Sequence, residues 1–369
     1  MEKGGSLMLK VIRRRRLRAT TATVAVAMLA GLATAGAAFA DHDGGREATL
    51  KGDWAPMNRC PVDDPAMLAV TGSTGGLLCF ADDSPSGSIT IGNLTVPIKD
   101  SNHQFGITIG ETGFNVVESD DALVDEPVEV PGGLRGLVCP SHGHFAWRIC
   151  RKHHDRWWNG DAGDVTWTME SAGPLTEFNL FAGFVVGAPT ARQPVKIHLQ
   201  NPLLGDNCYI GSEAEPIVLH PASLTPPNGS NEKFDADGTP DEEGGQLEAI
   251  IIQNNQGASG FAVPAASGCG FRGFFNQAIN SKIGLPSPEG PGNNVVFNEA
   301  TTYLVGLVNA EGLAPNAGKE LSKYWHSAVI PPEGGRHRHG HGWHGGDRRR
   351  SGPELEEEGF RHHWFRHGH

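Results

Sequence analysis
Histidine is the residue whose type and spacing here most invite chemistry. His337, His339, His341 and His344 recur at every second or third position near the C-terminal end, and His362, His363, His367 and His369 follow; these eight are nearly half of the 17 histidines in the chain. Neutral imidazoles suit zinc, nickel and copper, and a flexible tract can wrap a metal in several ways. Such a tract takes up metal in a test tube whether or not biology uses it, so a plain solvated tail outweighs a metal-handling device. Arginines share the tail, and below about pH 6 the whole would turn strongly cationic, the property of a pH-dependent surface tether.

A second group lies in or beside the stretch between Cys139 and Cys150. It comprises His142, His144, His153, His154 and Asp155, with Trp147, Trp157 and Trp158. A metal site needs three or four converging donors, which His142 and His144 with His153 or His154 would supply. The competing reading, a disulfide-pinned surface insertion with exposed aromatics, is the stronger one. Paired tryptophans beside charges would equally suit carbohydrate or a lipid headgroup region. Zinc, nickel or copper at these histidine-rich segments is the one cofactor class raised, and no motif requires a cofactor.

Two other chemistries are weaker. Asp235, Asp237, Gly238, Asp241 and Glu242 hint at a calcium loop. Placing the first four at loop positions 3, 5, 6 and 9 puts Lys233 at position 1 and Gly244 at position 12, where oxygen donors belong. Hydrolytic signatures are missing: there is no G-x-S-x-G elbow and no H-E-x-x-H. A triad is defined in space rather than in sequence, so a hydrolase remains as a third reading behind two non-catalytic ones.

The elements that would position any of these residues begin after residue 40. Arg13 to Arg16 and Arg18 form a basic region, residues 21–37 are small and apolar, and Ala38-Phe39-Ala40 is a small-x-small cleavage site before Asp41. That is a secretory signal peptide. No later stretch is long and apolar enough to span a bilayer as a helix, so the mature chain is expected to be secreted, with cell-surface association open. Removing the signal leaves 23 basic against 41 acidic side chains, a net charge of −18. Such acidity argues against nucleic acid as a partner and leaves a cell-envelope component or a metal ion.

Six cysteines, Cys60, Cys79, Cys139, Cys150, Cys208 and Cys269, all lie in the mature region. An even number in an exported chain reads as three disulfides, with 15 possible pairings. Pairing of sequence neighbours is the simplest: Cys60 with Cys79, Cys139 with Cys150, Cys208 with Cys269.

Hydrophobic alternation then places strands. Val195, Ile197 and Leu199 alternate with Lys196, His198 and Gln200 between two prolines, which puts His198 on a solvated face. Ile217 to Leu219 is a short return strand. Ile89, Ile91, Leu94 and Val96 flank Gly92-Asn93, a two-residue hairpin signal. Phe105, Ile107 and Ile109 form another strand, as do Val165, Trp167 and Met169. The apolar run 178–186 reads as a buried strand, 247–252 as one more, and 295–307 as one or two. Asp64-Pro65 opens a short helix. Residues 271–283 read as the one later helix, with Phe271, Phe274 or Phe275, Ala278, Ile279 and Ile283 as a core stripe. Residues 226–245, proline-rich and acidic, read as an exposed loop.

The expected architecture is mainly β: a disulfide-stapled β-sandwich, one elaborated or two small, with one or two short helices. Its organisation is a signal peptide at 1–40, a flexible leader at 41–52, a secreted β-rich domain at 53–330 and a disordered His/Arg-rich tail at 331–369.

The segments WAPMNRCPVDDPAM at 54–67, VPGGLRGLVC at 130–139, NPLLGDNCYIGS at 201–212 and GLPSP at 284–288 resemble a family of exported proteins of high-GC Gram-positive bacteria. The likeness extends to about Ala328. Its motifs are turn and cysteine signatures, so it implies export and disulfides and carries no activity with it. Taken together, these features favour a secreted, non-catalytic binding or structural protein at or near the cell surface. The alternative is an extracellular metal-binding protein using the tail and the His142 to Asp155 cluster.

Overall fold
The computed structural model describes residues 48–331 except 74, 112, 140–162 and 314. The chain divides into residues 1–46 and residues 47–369, and everything below concerns the second unit. The candidate metal ligands His142, His144, His153, His154, His337, His339, His341 and His344 lie outside the described residues, as do the signal peptide and most of the leader and tail.

The fold is mainly β, with two antiparallel sheets. In chain order the strands are β1 (Gly76–Ile91), β2 (Leu94–Gly110), β3 (Gly113–Val117), β4 (Leu123–Val124), β5 (Val128–Glu129), β6 (Thr166–Ser171), β7 (Gln193–Gln200), β8 (Tyr209–Ile210), β9 (Ile217–Leu219), β10 (Ala222–Ser223), β11 (Asn228–Phe234), β12 (Leu247–Ser259), β13 (Ala266–Ser267) and β14 (Val295–Leu307). The helices are α1 (Pro65–Leu68), α2 (Gly133–Val138), α3 (Asn276–Ile283) and α4 (Ala317–Ala328). The large sheet runs β10-β12-β14-β1-β2-β3, with β11 on β12 and β4 on β2. The small sheet runs β13-β8-β7-β6-β5, with β9 on β7.

Three layers result. Trp167 of β6, Val195, Ile197 and Leu199 of β7 and Leu219 of β9 pack on Ile89, Ile91, Val96, Ile98, Ala258 and Val296 of the large sheet. The opposite face of the large sheet, with Leu77, Cys79, Ala81, Leu247, Ala249 and Val305, is covered by Trp54, Met57 and Met67 and by Leu321 and Trp325 of α4. One elaborated sandwich with a helical third layer therefore replaces the option of two small ones.

The long pair β1 and β2 meets at Gly92-Asn93, the expected hairpin turn, with Ile91 opposite Leu94. Both strands change parity midway. Phe80 and Asp82 share a face with Ile89 and Ile91 because β1 carries a bulge between Asp83 and Ser86 against β14. Opposite it, Asp100 of β2 has φ 28° and shifts the inward set from Val96 and Ile98 to Ser101, His103 and Phe105. A bulge is the way one extra residue re-aims every side chain beyond it.

Cys60–Cys79 and Cys208–Cys269 are disulfides, as the neighbour pairing expects. Cys139 is also disulfide-bonded, and its expected partner Cys150 lies outside the described residues. The short helix at Asp64-Pro65 is present, with Asp64 Oδ1 accepting from Ala66 N at 2.7 Å.

Several expectations need correction. Residues 178–186 are no strand: Leu180–Phe184 is a 3-10 turn, and Phe181, Phe184, Val185 and Val186 are exposed. The helix expected at 271–283 begins only at Asn276, because Gly270 and Arg272 take positive φ and break the helical path. Phe271 and Phe274 are 84% and 77% exposed rather than core, while Ile279 and Ile283 are buried as expected. Residues 228–234, within the expected loop, are an edge strand paired with β12, its partner supplying register that polar residues alone do not announce. Helices α2 and α4 add to the single later helix anticipated. In the leader, Leu50 is buried and bridged to Val329.

Candidate functional site
The parity change brings polar side chains inward at the middle of the sandwich, between two apolar ends. There the sheets stand apart around a recess of about 90 Å³. Its large-sheet wall carries Asp82 and Ser84 from β1, Ser101 and His103 from β2, Gln256 from β12 and Asn298 from β14. Met169 of β6 and Gln193 of β7 face them. Leu175, Phe178, Thr190 and Ala191, from the segment joining β6 to β7, close one side.

Asp82 is the centre of this belt. Its Oδ1 accepts from Thr302 Oγ1 at 2.6 Å and from Gln256 Nε2 at 3.1 Å. The network continues outward: Gln256 Nε2 also reaches Thr302 Oγ1 and Asn254 Oδ1, Asn254 Nδ2 donates to Ser223 Oγ at 2.7 Å, and Ser223 Oγ donates to Gly183 O at 2.6 Å. Asp82 is half-buried and faces the recess. Burial holds Asp82 above the usual carboxylate range, against the hydrogen bond from Thr302, the nearby His103 and the amide of Gln256. Desolvation disfavours the charged form, and donors to the carboxylate favour it.

His103 is held from two sides. Gln193 Nε2 donates to its Nδ1 at 3.4 Å, and its Nε2 lies 3.4 Å from Glu118 Oε1. An amide donor on Nδ1 fixes the ring proton on Nε2, where Glu118 accepts it. Glu118 Oε2 in turn accepts from Leu175 N at 2.8 Å, tying the imidazole to the segment that closes the recess. An aromatic wall stands beside it: Phe80 stacks on Phe105 at 4.3 Å, and Phe178 meets Phe105 edge-on at 5.3 Å.

One step behind lies Asp125. Its Oδ2 accepts from Met169 N at 2.9 Å, while Oδ1 is buried with no hydrogen-bond partner. Burial pushes its carboxyl up to about 6, against the bonds from Met169 and the Ser101 hydroxyl.

An acid, an imidazole and two serines in one recess raise nucleophilic catalysis. The imidazole is engaged elsewhere: both His103 nitrogens face other side chains, Gln193 and Glu118. A nucleophile needs a base within hydrogen-bond reach.

The other sequence candidates fall elsewhere. The acidic turn of the calcium-like motif spends its carboxylates on itself, with Asp237 Oδ1 accepting from Thr239 N and Asp241 Oδ1 from Glu243 N and Gly244 N. Trp54 Nε1 and Ser327 Oγ donate to Ala236 O, which pins the turn to the helical layer. His198 is not solvated: it stacks on Tyr209 at 4.4 Å, and its Nδ1 lies 3.1 Å from Glu170 Oε1. Among the described residues no group of three or more His, Cys, Asp or Glu is placed to hold a metal ion, and no helix is long and apolar enough to cross a membrane.

Asp82 and His103 escaped the sequence reading, although a signal was there. The alternation Phe105, Ile107, Ile109 extends backwards onto His103 and Ser101, polar residues on an inward face. Comparison with protein-family models, curated proteins and solved structures found no match.

Proposed function
We propose that this protein is a secreted, non-catalytic binding protein acting at or near the cell surface, and that the recess between the sheets holds its ligand. The observation that carries this reading is Asp82, a half-buried carboxyl between the sheets that faces the recess. Buried polar groups are kept where they are satisfied or used, and small-ligand sites combine apolar walls with a few convergent polar groups. Phe80, Phe105 and Phe178 supply the first; Asp82, His103, Gln193 and Gln256 supply the second. The commitment of His103 to Glu118 and Gln193 supports binding over turnover. The disulfides support an oxidising compartment.

Native mass spectrometry of the mature protein from culture supernatant, purified without a metal column, tests the reading. An organic mass lost on denaturation, and absent from a Phe178→Trp variant that fills the recess, is the expected result. A stoichiometric metal mass that disappears on deleting residues 334–369 would overturn it in favour of the histidine-rich segments. Turnover of ester, peptide or glycoside substrates, abolished by a single substitution in the recess, would overturn the non-catalytic part.

A further inference from the structure
The hydrogen-bonding state of the recess constrains what can enter it. Three of its donors already serve the protein: Gln256 Nε2 and Thr302 Oγ1 serve Asp82 Oδ1, and Gln193 Nε2 serves His103. The second oxygen of Asp82 serves nothing: among the described residues Asp82 Oδ2 has no hydrogen bond, and Asp82 lines the recess. A ligand that satisfies this oxygen brings N–H or O–H groups.

Charge narrows the choice. No lysine or arginine lines the recess, whereas Asp82 lines it and Glu118 stands behind His103. A neutral alcohol would leave the enclosed carboxylate uncompensated, and a cation would pair with it. The wall of Phe80, Phe105 and Phe178 presents ring edges and faces beside the acid, and ring faces attract cations. Size sets the limit: about 90 Å³ is the room of roughly three water molecules, or a ligand of about five heavy atoms.

We propose that the recess is a binding site for a small primary ammonium compound, with Asp82 as its counter-ion and Phe178 as its aromatic wall. This rests on reading the recess as the ligand site.

The test uses the mature protein and two probes of equal size, ethanolamine and ethylene glycol, followed by amide chemical-shift titration. Ethanolamine is expected to give saturable shifts centred on Asp82, His103 and Gln256, at an affinity at least tenfold above that of ethylene glycol. Asp82→Asn should abolish that preference. Phe178→Leu, a milder change that keeps the recess apolar, should weaken ethanolamine several-fold and leave ethylene glycol little changed, which keeps the test valid if the Asn variant folds poorly. Equal affinity for the two probes, or a preference unaffected by both variants, would overturn the ammonium assignment while leaving a polar-ligand site standing. Shifts confined to the outer surface for both probes would overturn the site itself.

Discussion
Burial changes the acid chemistry of single carboxylates in this fold, and Asp125 shows the consequence for stability. Its pKa of about 6 stands above the roughly 3.9 of an unfolded aspartate. Between those values the folded chain keeps a proton that the unfolded chain has lost. The group's contribution to stability is thus fully present below about pH 4, declines as pH rises to about 6, and is flat beyond. Asp82 acts in the same direction. Asp125→Asn removes the penalty, so at pH 7.5 it is expected to stabilise the protein by up to roughly 2–3 kcal/mol and to flatten the slope between pH 4 and 6. Urea titrations across that range would read both. An Asn variant weaker than the parent at pH 7.5 would mean that the hydrogen bond from Met169 outweighs the cost of burying the charge. The sequence made such residues visible only in outline, since alternation says that Ser101 and His103 point inward but not that they meet Asp125 and Glu118.

Among the elements, those whose own pattern is loud were legible. β7 alternates cleanly, the hairpin at Gly92-Asn93 follows from turn chemistry, and Ile279 and Ile283 lie on a helical stripe. Elements defined by what packs on them were not. The buried face of α4 is Ala317, Gly318, Leu321, Ser322, Trp325 and Ala328, a helical spacing written mostly in small residues that carry little hydrophobic signal. Those small residues have a physical reason. Gly318 N donates to Val70 O at 3.0 Å, and a Cβ added there would sit 2.2 Å from Met67 O, so α4 lies directly against the backbone of α1 and of Val70 just after it. In an unhindered helix Gly→Ala stabilises by about 1 kcal/mol. Here Gly318→Ala should reverse that sign and cost about 1–3 kcal/mol through forced separation of backbones. A urea midpoint below that of the parent confirms the close approach, and one above it refutes it. The run 178–186 misled for the opposite reason. Its apolar residues are real, but Phe178 and Leu180 are half-buried against the aromatic cluster, and Phe181 stays 70% exposed.

At the scale of the whole molecule, the two placed disulfides hold different layers. Cys60–Cys79 ties the helical layer to β1, and Cys208–Cys269 closes a span of 61 residues between β7 and α3. Loop-closure entropy grows with span, so Cys208→Ala with Cys269→Ala should cost roughly 4 kcal/mol and the Cys60, Cys79 pair about 3 kcal/mol. Chemical denaturation of the two double variants would rank them; the reverse order would place the greater constraint in the helical layer.

The bridge between Leu50 and Val329 has a topological meaning. Lys51 N donates to Ala328 O and Ile330 N to Thr49 O, so the two ends of the described residues are stitched edge to edge. The path of residues 48–331 is in effect a ring with a nick in it. Where the nick falls is then a matter of connectivity rather than of packing. Joining residues 48 and 331 by a short glycine-serine linker and reopening the chain at the exposed turn beside Gly187 should give a circular permutant that folds to the same sandwich, with the same disulfide pairs on peptide mapping.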